Sequence, residues 1–260
     1  MVNPFILLPL YIYPATNAWN ALYDSITANP SVQFKVIVNP DSGPGAGNIP
    51  DDNYIANIAQ LNSYPNVATL GYVHASYGAR DQGLVQADVE TYQGWASYTG
   101  SDIHVDGIFF DESPSNSSML AYVRDITSAA KATMTNGNTI ILNPGVNVPT
   151  AYYTHADYIN VFEQSHAHWT KRGQGPLSVP SGLRAKSSVM IHHYTATTPQ
   201  LAIDVQNIVN AGIAGSLFTT QADYDAWSAH WASYVGHLAQ FSAAKAKPKR
   251  MSRFFRRIVQ

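Results

Sequence analysis

Eight apolar, strand-like runs recur along this chain, and most are followed by a stretch with helical periodicity. The runs are Phe5 to Tyr13, Phe34 to Asn39, Ala68 to His74, Val105 to Phe110, Thr139 to Asn143, Tyr158 to Phe162, Ser188 to Tyr194 and Ser216 to Thr220. Helical patterns cover Asn17 to Ala28, Asp52 to Asn62, Leu84 to Tyr98, Ser117 to Met134, Pro199 to Asn210 and Ala226 to Phe241. Two connections break the rhythm: Thr150 to His155 is short, and His168 to Pro180 reads as loop. Strand and helix alternating eight times require parallel strands joined by right-handed crossovers. In 260 residues with no compositional break before about Ala244, closure into one (β/α)8 TIM barrel is the economical solution. An open doubly wound sheet is the alternative, but no Gly-rich phosphate loop follows the first strand. The expected organisation is a barrel over residues 1–244 and a short tail over 245–260.

Charged residues make up 12% of the chain, aromatic residues also 12%, and tyrosine alone counts 16, the composition of an ordered globular protein. Tyrosine suits sugar binding and half-buried packing equally well. The absence of cysteine excludes disulfides and thiolate metal sites. No apolar run approaches the roughly 20 residues that span a membrane. The Phe5-Ile6-Leu7-Leu8 run lacks the basic flank and cleavage site of a signal peptide, so the expectation is an intracellular protein or one whose leader has been removed. The net charge of −2 hides an asymmetry. Seven of the fifteen basic residues lie between Lys245 and Gln260; without them eight face seventeen acids, leaving a body of about nine negative charges that is a poor nucleic-acid binder. The tail mixes Phe254, Phe255, Ile258 and Val259 with its arginines, which suits contact with an anionic surface, although a solvated terminus is the plainer reading.

The fourth run, Val105-Asp106-Gly107-Ile108-Phe109-Phe110-Asp111-Glu112, ends abruptly in two carboxylates. Charge at the rim of a core is costly and invites a chemical explanation. Barrel active sites gather at the C-terminal strand ends. Those ends supply Tyr11 and Tyr13, Asn39 and Asp41, His74 and Tyr77, Asp111 and Glu112, Asn143, Glu163 and Gln164, then His192, His193 and Tyr194, and finally Thr220 and Gln221. Side chains alternate along a strand, so Asp111 shares a face with Phe109 and Gly107, and a small inward residue favours Asp111 pointing into the mouth. Histidine pairs occur at 166/168 and 192/193, but the second pair, adjacent on a strand, faces opposite ways and can hardly share one ion, and no metal is expected. No Gly-x-Ser-x-Gly elbow occurs, and Asn116-Ser117-Ser118 is a glycosylation sequon that matters only in a secreted protein.

Five segments carry a resemblance: Leu7-Leu8-Pro9-Leu10-Tyr11-Ile12-Tyr13-Pro14, Val36-Ile37-Val38-Asn39-Pro40-Asp41-Ser42-Gly43-Pro44-Gly45, Thr69-Leu70-Gly71-Tyr72-Val73, Asp106 through Glu112, and Val161-Phe162-Glu163. In this order, from Pro9 to about Phe241, the chain resembles the spherulin-4 (spherulation-specific family 4) proteins. The resemblance implies a (β/α)8 glycoside hydrolase, fungal and secreted or membrane-associated, with no cofactor. It would cleave within galactosaminogalactan, an α-1,4-linked biofilm exopolysaccharide of galactose and N-acetylgalactosamine. It also implies that Asp111, Glu112 and Glu163 are the key acids. By analogy with other α-galactoside-cleaving barrels, Asp111 is the expected nucleophile, Glu163 the general acid/base, and Glu112 a group that orients the sugar or tunes Asp111; the adjacent pair could exchange roles. Tyr11, Tyr13, Tyr77, His192, Tyr194 and Trp169 are expected to supply stacking faces and hydrogen bonds. Asn39, Asp41, Asn143 and Gln221 would read hydroxyls or amines, with His74 and Gln164 beside them. The expected partner is the polysaccharide alone, bound by a monomer. A non-catalytic carbohydrate-binding coat protein, or a hydrolase of another α-linked glycan, fits the same residues.

Overall fold

The computed structural model describes residues 3–171 and 178–242; the basic tail from Lys245 to Gln260 lies outside them. Eight parallel strands close into a barrel in sequential order, β1 (Phe5–Leu10), β2 (Gln33–Val38), β3 (Val67–His74), β4 (Gly107–Asp111), β5 (Thr139–Leu142), β6 (Tyr158–Ser165), β7 (Ser187–His192) and β8 (Gly215–Phe218). The expected (β/α)8 barrel is therefore the observed fold. Outside it lie α1 (Asn20–Ala28), α2 (Asp52–Asn62), α3 (Gln82–Trp95), α4 (Leu120–Thr133), α5 (His166–Lys171), α6 (Thr198–Asn210) and α7 (Trp231–Ser242). The connection after β5 holds only a 3-10 turn, Thr150–Thr154. The connection after β6, expected to be loop, instead carries the short α5 and a 3-10 turn at Ser181–Lys186.

Barrel strands are covered on both faces and so read as continuous apolar runs, as in β1, where all six residues are buried. The helices bury single stripes: α4 turns Val123, Ile126, Thr127 and Ala130 inward at helical spacing. Their starts are marked by side chains that take up free backbone donors. Asp51 accepts from the N–H groups of Asn53 and Tyr54, and Asp81 from those of Gly83 and Leu84.

The base of the barrel is built for closure. Asp106 accepts the Thr69 N–H at 2.9 Å and Asp157 the Ile140 N–H at 2.8 Å, which fastens two strand starts. Lys35 reaches between Phe5 and Tyr158, its ammonium 5.3 Å from each ring centroid. Burial lowers its pKa, and Asp106 and Asp157 oppose that shift. At Gly107 a side-chain carbon would sit 2.0 Å from the Thr139 carbonyl oxygen, so only glycine lets β4 and β5 start side by side.

One irregularity shapes the mouth of the barrel. The pairing of β6 with β7 steps from Asn160–Ser188 to Phe162–Val189, leaving Val161 as an extra residue. A bulge restarts the alternation. Phe162 packs outward on Trp169 of α5, with centroids 5.2 Å apart, while the side chains of Asn160 and Glu163 both reach Asn143. The strand also continues to Ser165, past the Phe162 end expected from its apolar run.

Candidate active site

Asp111 ends β4 opposite His74 on β3, Asn143 immediately follows β5, and Glu163 lies beyond the bulge of β6. Their side chains converge in the barrel mouth, with Asp111 pointing inward as the strand phase predicts. The Asn143 amide nitrogen donates to Asp111 Oδ1 at 2.7 Å and to Glu163 Oε2 at 2.6 Å. The Tyr72 hydroxyl donates to Asp111 Oδ2 at 2.9 Å, and the Tyr224 hydroxyl to Glu163 Oε1 at 2.7 Å. Both oxygens of each carboxylate are thus held. Tyr11 stands between the two tyrosines, edge-on to Tyr72 at 5.6 Å and to Tyr224 at 5.9 Å.

Burial, then the charge of Asp111, raises the Glu163 pKa; the bonds from Tyr224 and Asn143 pull it down but do not win. The phenols of Tyr11, Tyr72 and Tyr224 are pushed up by burial and by the carboxylates beside them, which keeps them neutral donors. Among the described residues, no ion pair reaches Asp111, Glu112 or Glu163.

Backbone strain gathers at the same rim. Ser76, Tyr77, Glu112, His193 and Tyr224 all adopt left-handed conformations, with φ between 46° and 61°. Such residues cost about 1–3 kcal/mol each and persist where their surroundings over-determine them. Here the Tyr77 N–H donates to the Glu112 carbonyl at 2.6 Å, and the Tyr11 N–H to that of Tyr224 at 3.3 Å. Gly145 (φ 64°) accepts the Glu163 N–H at 3.0 Å, so the turn after β5 also sets the backbone height of Glu163.

An open cleft of ≈ 600 Å³ lies over the acids. Six expected residues line it, Tyr77, Asp111, Glu112, Asn143, Glu163 and Gln164, together with Pro144, Gly145 and Val146. Tyr77 is 66% exposed and presents a free ring. Of the other expected residues, Tyr11 stands beside the acids between Tyr72 and Tyr224 without lining the cleft, and the rest do not line it either. Tyr13 is exposed and tied to Asp51 and Asn53. Asn39 accepts the Gly43 N–H and shapes its own loop, where Asp41 is exposed. His74 pairs with Ser76, and Gln221 donates to the Trp227 carbonyl.

Two expected stacking residues must be corrected. Trp169 and Tyr194 are each 2% exposed and offer no face to a sugar. Trp169 fills the space under Phe162, and the Tyr194 hydroxyl is committed to Asp204 at 2.7 Å. Nor do the adjacent histidines separate as strand alternation predicts. The Nδ1 atoms of His192 and His193 lie 2.6 Å apart, because β7 ends at His192 and the left-handed His193 swings back beside it.

Tyr72, Tyr224 and Asn160 were missed in the sequence. Tyr72 lies two residues before His74 and so on its face, and Asn160 is a polar residue inside an apolar run; both left a signal. Tyr224 sits in a loop between two aspartates and left none.

Fold and site together define a (β/α)8 barrel with two carboxylates, Asp111 and Glu163, held side by side at its mouth. The chain belongs to spherulation-specific family 4 (Spherulin4), whose family model matches residues 5–238. It is similar to Spherulin-4 of Physarum polycephalum, with 34% identity over 194 residues. That match covers 72% of this chain and 54% of the relative, so the chain spans about half the relative's length. The crystal structure of Aspergillus clavatus Sph3 in complex with GalNAc is 32% identical, with a TM-score of 0.85 over 92% of this chain and 98% of that one. A chitinase from Bacteroides thetaiotaomicron, 10% identical with a TM-score of 0.60 over 95% of this chain and 99% of its own, shares the fold.

Proposed function

We propose that the protein is an endo-acting glycoside hydrolase of α-1,4-linked exopolysaccharide containing N-acetylgalactosamine or galactosamine, of the galactosaminogalactan type. The observation that carries this reading is the single Asn143 amide nitrogen shared by Asp111 and Glu163. The two oxygens that face it are at most about 5.3 Å apart, the span of the two bonds of 2.7 and 2.6 Å that meet at one atom. Retaining glycosidases hold their carboxyl groups about 5–5.5 Å apart and inverting ones about 6.5–9.5 Å, so the spacing favours retention.

Glu163, whose pKa is raised by burial and then by the charge of Asp111, gives its proton to the glycosidic oxygen as the bond to the anomeric carbon breaks. The Asp111 carboxylate attacks that carbon and forms a glycosyl ester. Glu163, now ionised, takes a proton from water, whose oxygen displaces Asp111 and regenerates both groups. Glu112 and the free ring of Tyr77 sit beside Asp111 to orient the sugar. Support for an amino sugar comes from the GalNAc bound to the Sph3 relative and from the cleft's lining, which among the described residues holds no basic side chain and so suits an amine-bearing polymer.

The test is reducing-end release from purified galactosaminogalactan by the native protein, Asp111→Asn and Glu163→Gln, with the product anomer read by NMR. Release that survives both substitutions would overturn the assignment, and a β-anomeric first product would overturn retention.

A further inference from the structure

Asn160 is fully buried on β6 and cannot touch a substrate. Its amide nitrogen donates to Asn143 Oδ1 at 2.8 Å, and its own Oδ1 faces the Ser188 hydroxyl at 3.4 Å. The Asn143 amide therefore has its two ends assigned: nitrogen toward both acids, oxygen toward Asn160. Reversed, it would aim a carbonyl oxygen at two carboxylates and set its nitrogen against another donor. An apolar residue would fill the same space, yet would leave the Asn143 oxygen without this donor. The Val161 bulge makes the arrangement possible, because residues three apart on a regular strand face opposite ways.

We infer that Asn160 is a positioning residue: by donating to the Asn143 oxygen it keeps that amide nitrogen-first toward Asp111 and Glu163. The inference deepens the hydrolase reading and rests on it for the effect on turnover. It also makes a statement about the Glu163 proton that needs no substrate. The bond from Asn143 favours the ionised form of Glu163, so a loosened Asn143 lets the Glu163 pKa climb further.

The test uses Asn160→Leu and Asn160→Asp in the full chain, with kinetics across pH and a ¹³C NMR titration of the Glu163 carboxyl. Asn160→Leu is expected to lower kcat on the order of ten- to a hundred-fold with little change in KM, and to move the Glu163 titration to higher pH. In Asn160→Asp the new carboxyl donates only while protonated; once ionised it draws the Asn143 nitrogen away from the acids. That variant should approach native turnover at acid pH and lose it as the new group ionises, a signature that packing alone does not produce. Native kcat, pH profile and Glu163 titration in both variants would overturn the inference. Should Asn160→Leu fail to fold by circular dichroism, the acid recovery of Asn160→Asp decides. A shifted titration in a protein that releases no sugar would uphold the positioning role and sink the hydrolase reading; release with unshifted variants would do the reverse.

Discussion

Glu163 accepts two hydrogen bonds and still holds its proton to a higher pH than an ordinary glutamate, since burial and Asp111 outweigh both donors. The raised pKa bears on stability as well as on the proposed catalysis. A carboxyl whose folded pKa is raised makes the folded state bind the extra proton, so stability falls as pH rises from the unfolded value through the folded one. Glu163→Gln removes that loss. Its melting temperature at pH 7 is expected to equal or exceed that of the native protein, with no gain below the ordinary carboxylate range, while kcat falls about 10²- to 10⁴-fold. Calorimetry beside kinetics checks both, and a variant clearly less stable at pH 7 would contradict the sign. Tyr224 offers a second residue-scale prediction. Its hydroxyl donates to Glu163 and lowers that pKa, so Tyr224→Phe should move the alkaline limb of the kcat/KM profile to higher pH. A limb that stays put or moves down would show that the bond does not act on Glu163.

At the scale of elements, β6 carries the decision. Regular alternation delivers Asp111 to the mouth from β4, and the same rule applied to β6 would separate Asn160 from Glu163. The extra residue at Val161 repairs the phase and bends the strand so that Phe162 covers α5. Deleting Val161 is therefore expected to abolish turnover, by more than about 10³-fold, with all three acids still in the chain and the far-ultraviolet spectrum of a barrel retained. Turnover within ten-fold of native would mean that the bulge does not place Glu163. The loops after β3, β4, β7 and β8 contribute in another way, each bringing a left-handed residue to the rim: Tyr77, Glu112, His193 and Tyr224. Backbones held this way fix the direction of a side chain more tightly than a flexible loop can.

The whole molecule divides its labour between two faces, closure at the base and the gathered acids at the mouth, where the proposed chemistry lies. Lys35 belongs to the base, half-buried between Phe5 and Tyr158. Burial costs the Lys35 ammonium part of its hydration and lowers its pKa, so Lys35→Met should hold or raise the melting temperature and leave kcat unchanged. A large loss of stability would give the ammonium a structural role beyond plugging the barrel. Much of this division was legible in the chain. Eight apolar runs, their spacing and the acids at their ends are local patterns, because strand phase and helix period are written in neighbouring residues; they determined the barrel, the end at which its acids gather and the candidates Asp111, Glu112 and Glu163. What the tertiary structure alone decided depends on residues far apart in sequence. Tyr224 meets Glu163 across 61 positions and Asn143 meets Asp111 across 32. Trp169 and Tyr194, polar-tipped rings near strand ends, turned out to be core, and the bulge that aims Glu163 leaves no mark in a run of apolar residues. Barrel closure sets the stagger between strands, and that stagger, not the order of residues along any one strand, determines which side chains share the mouth.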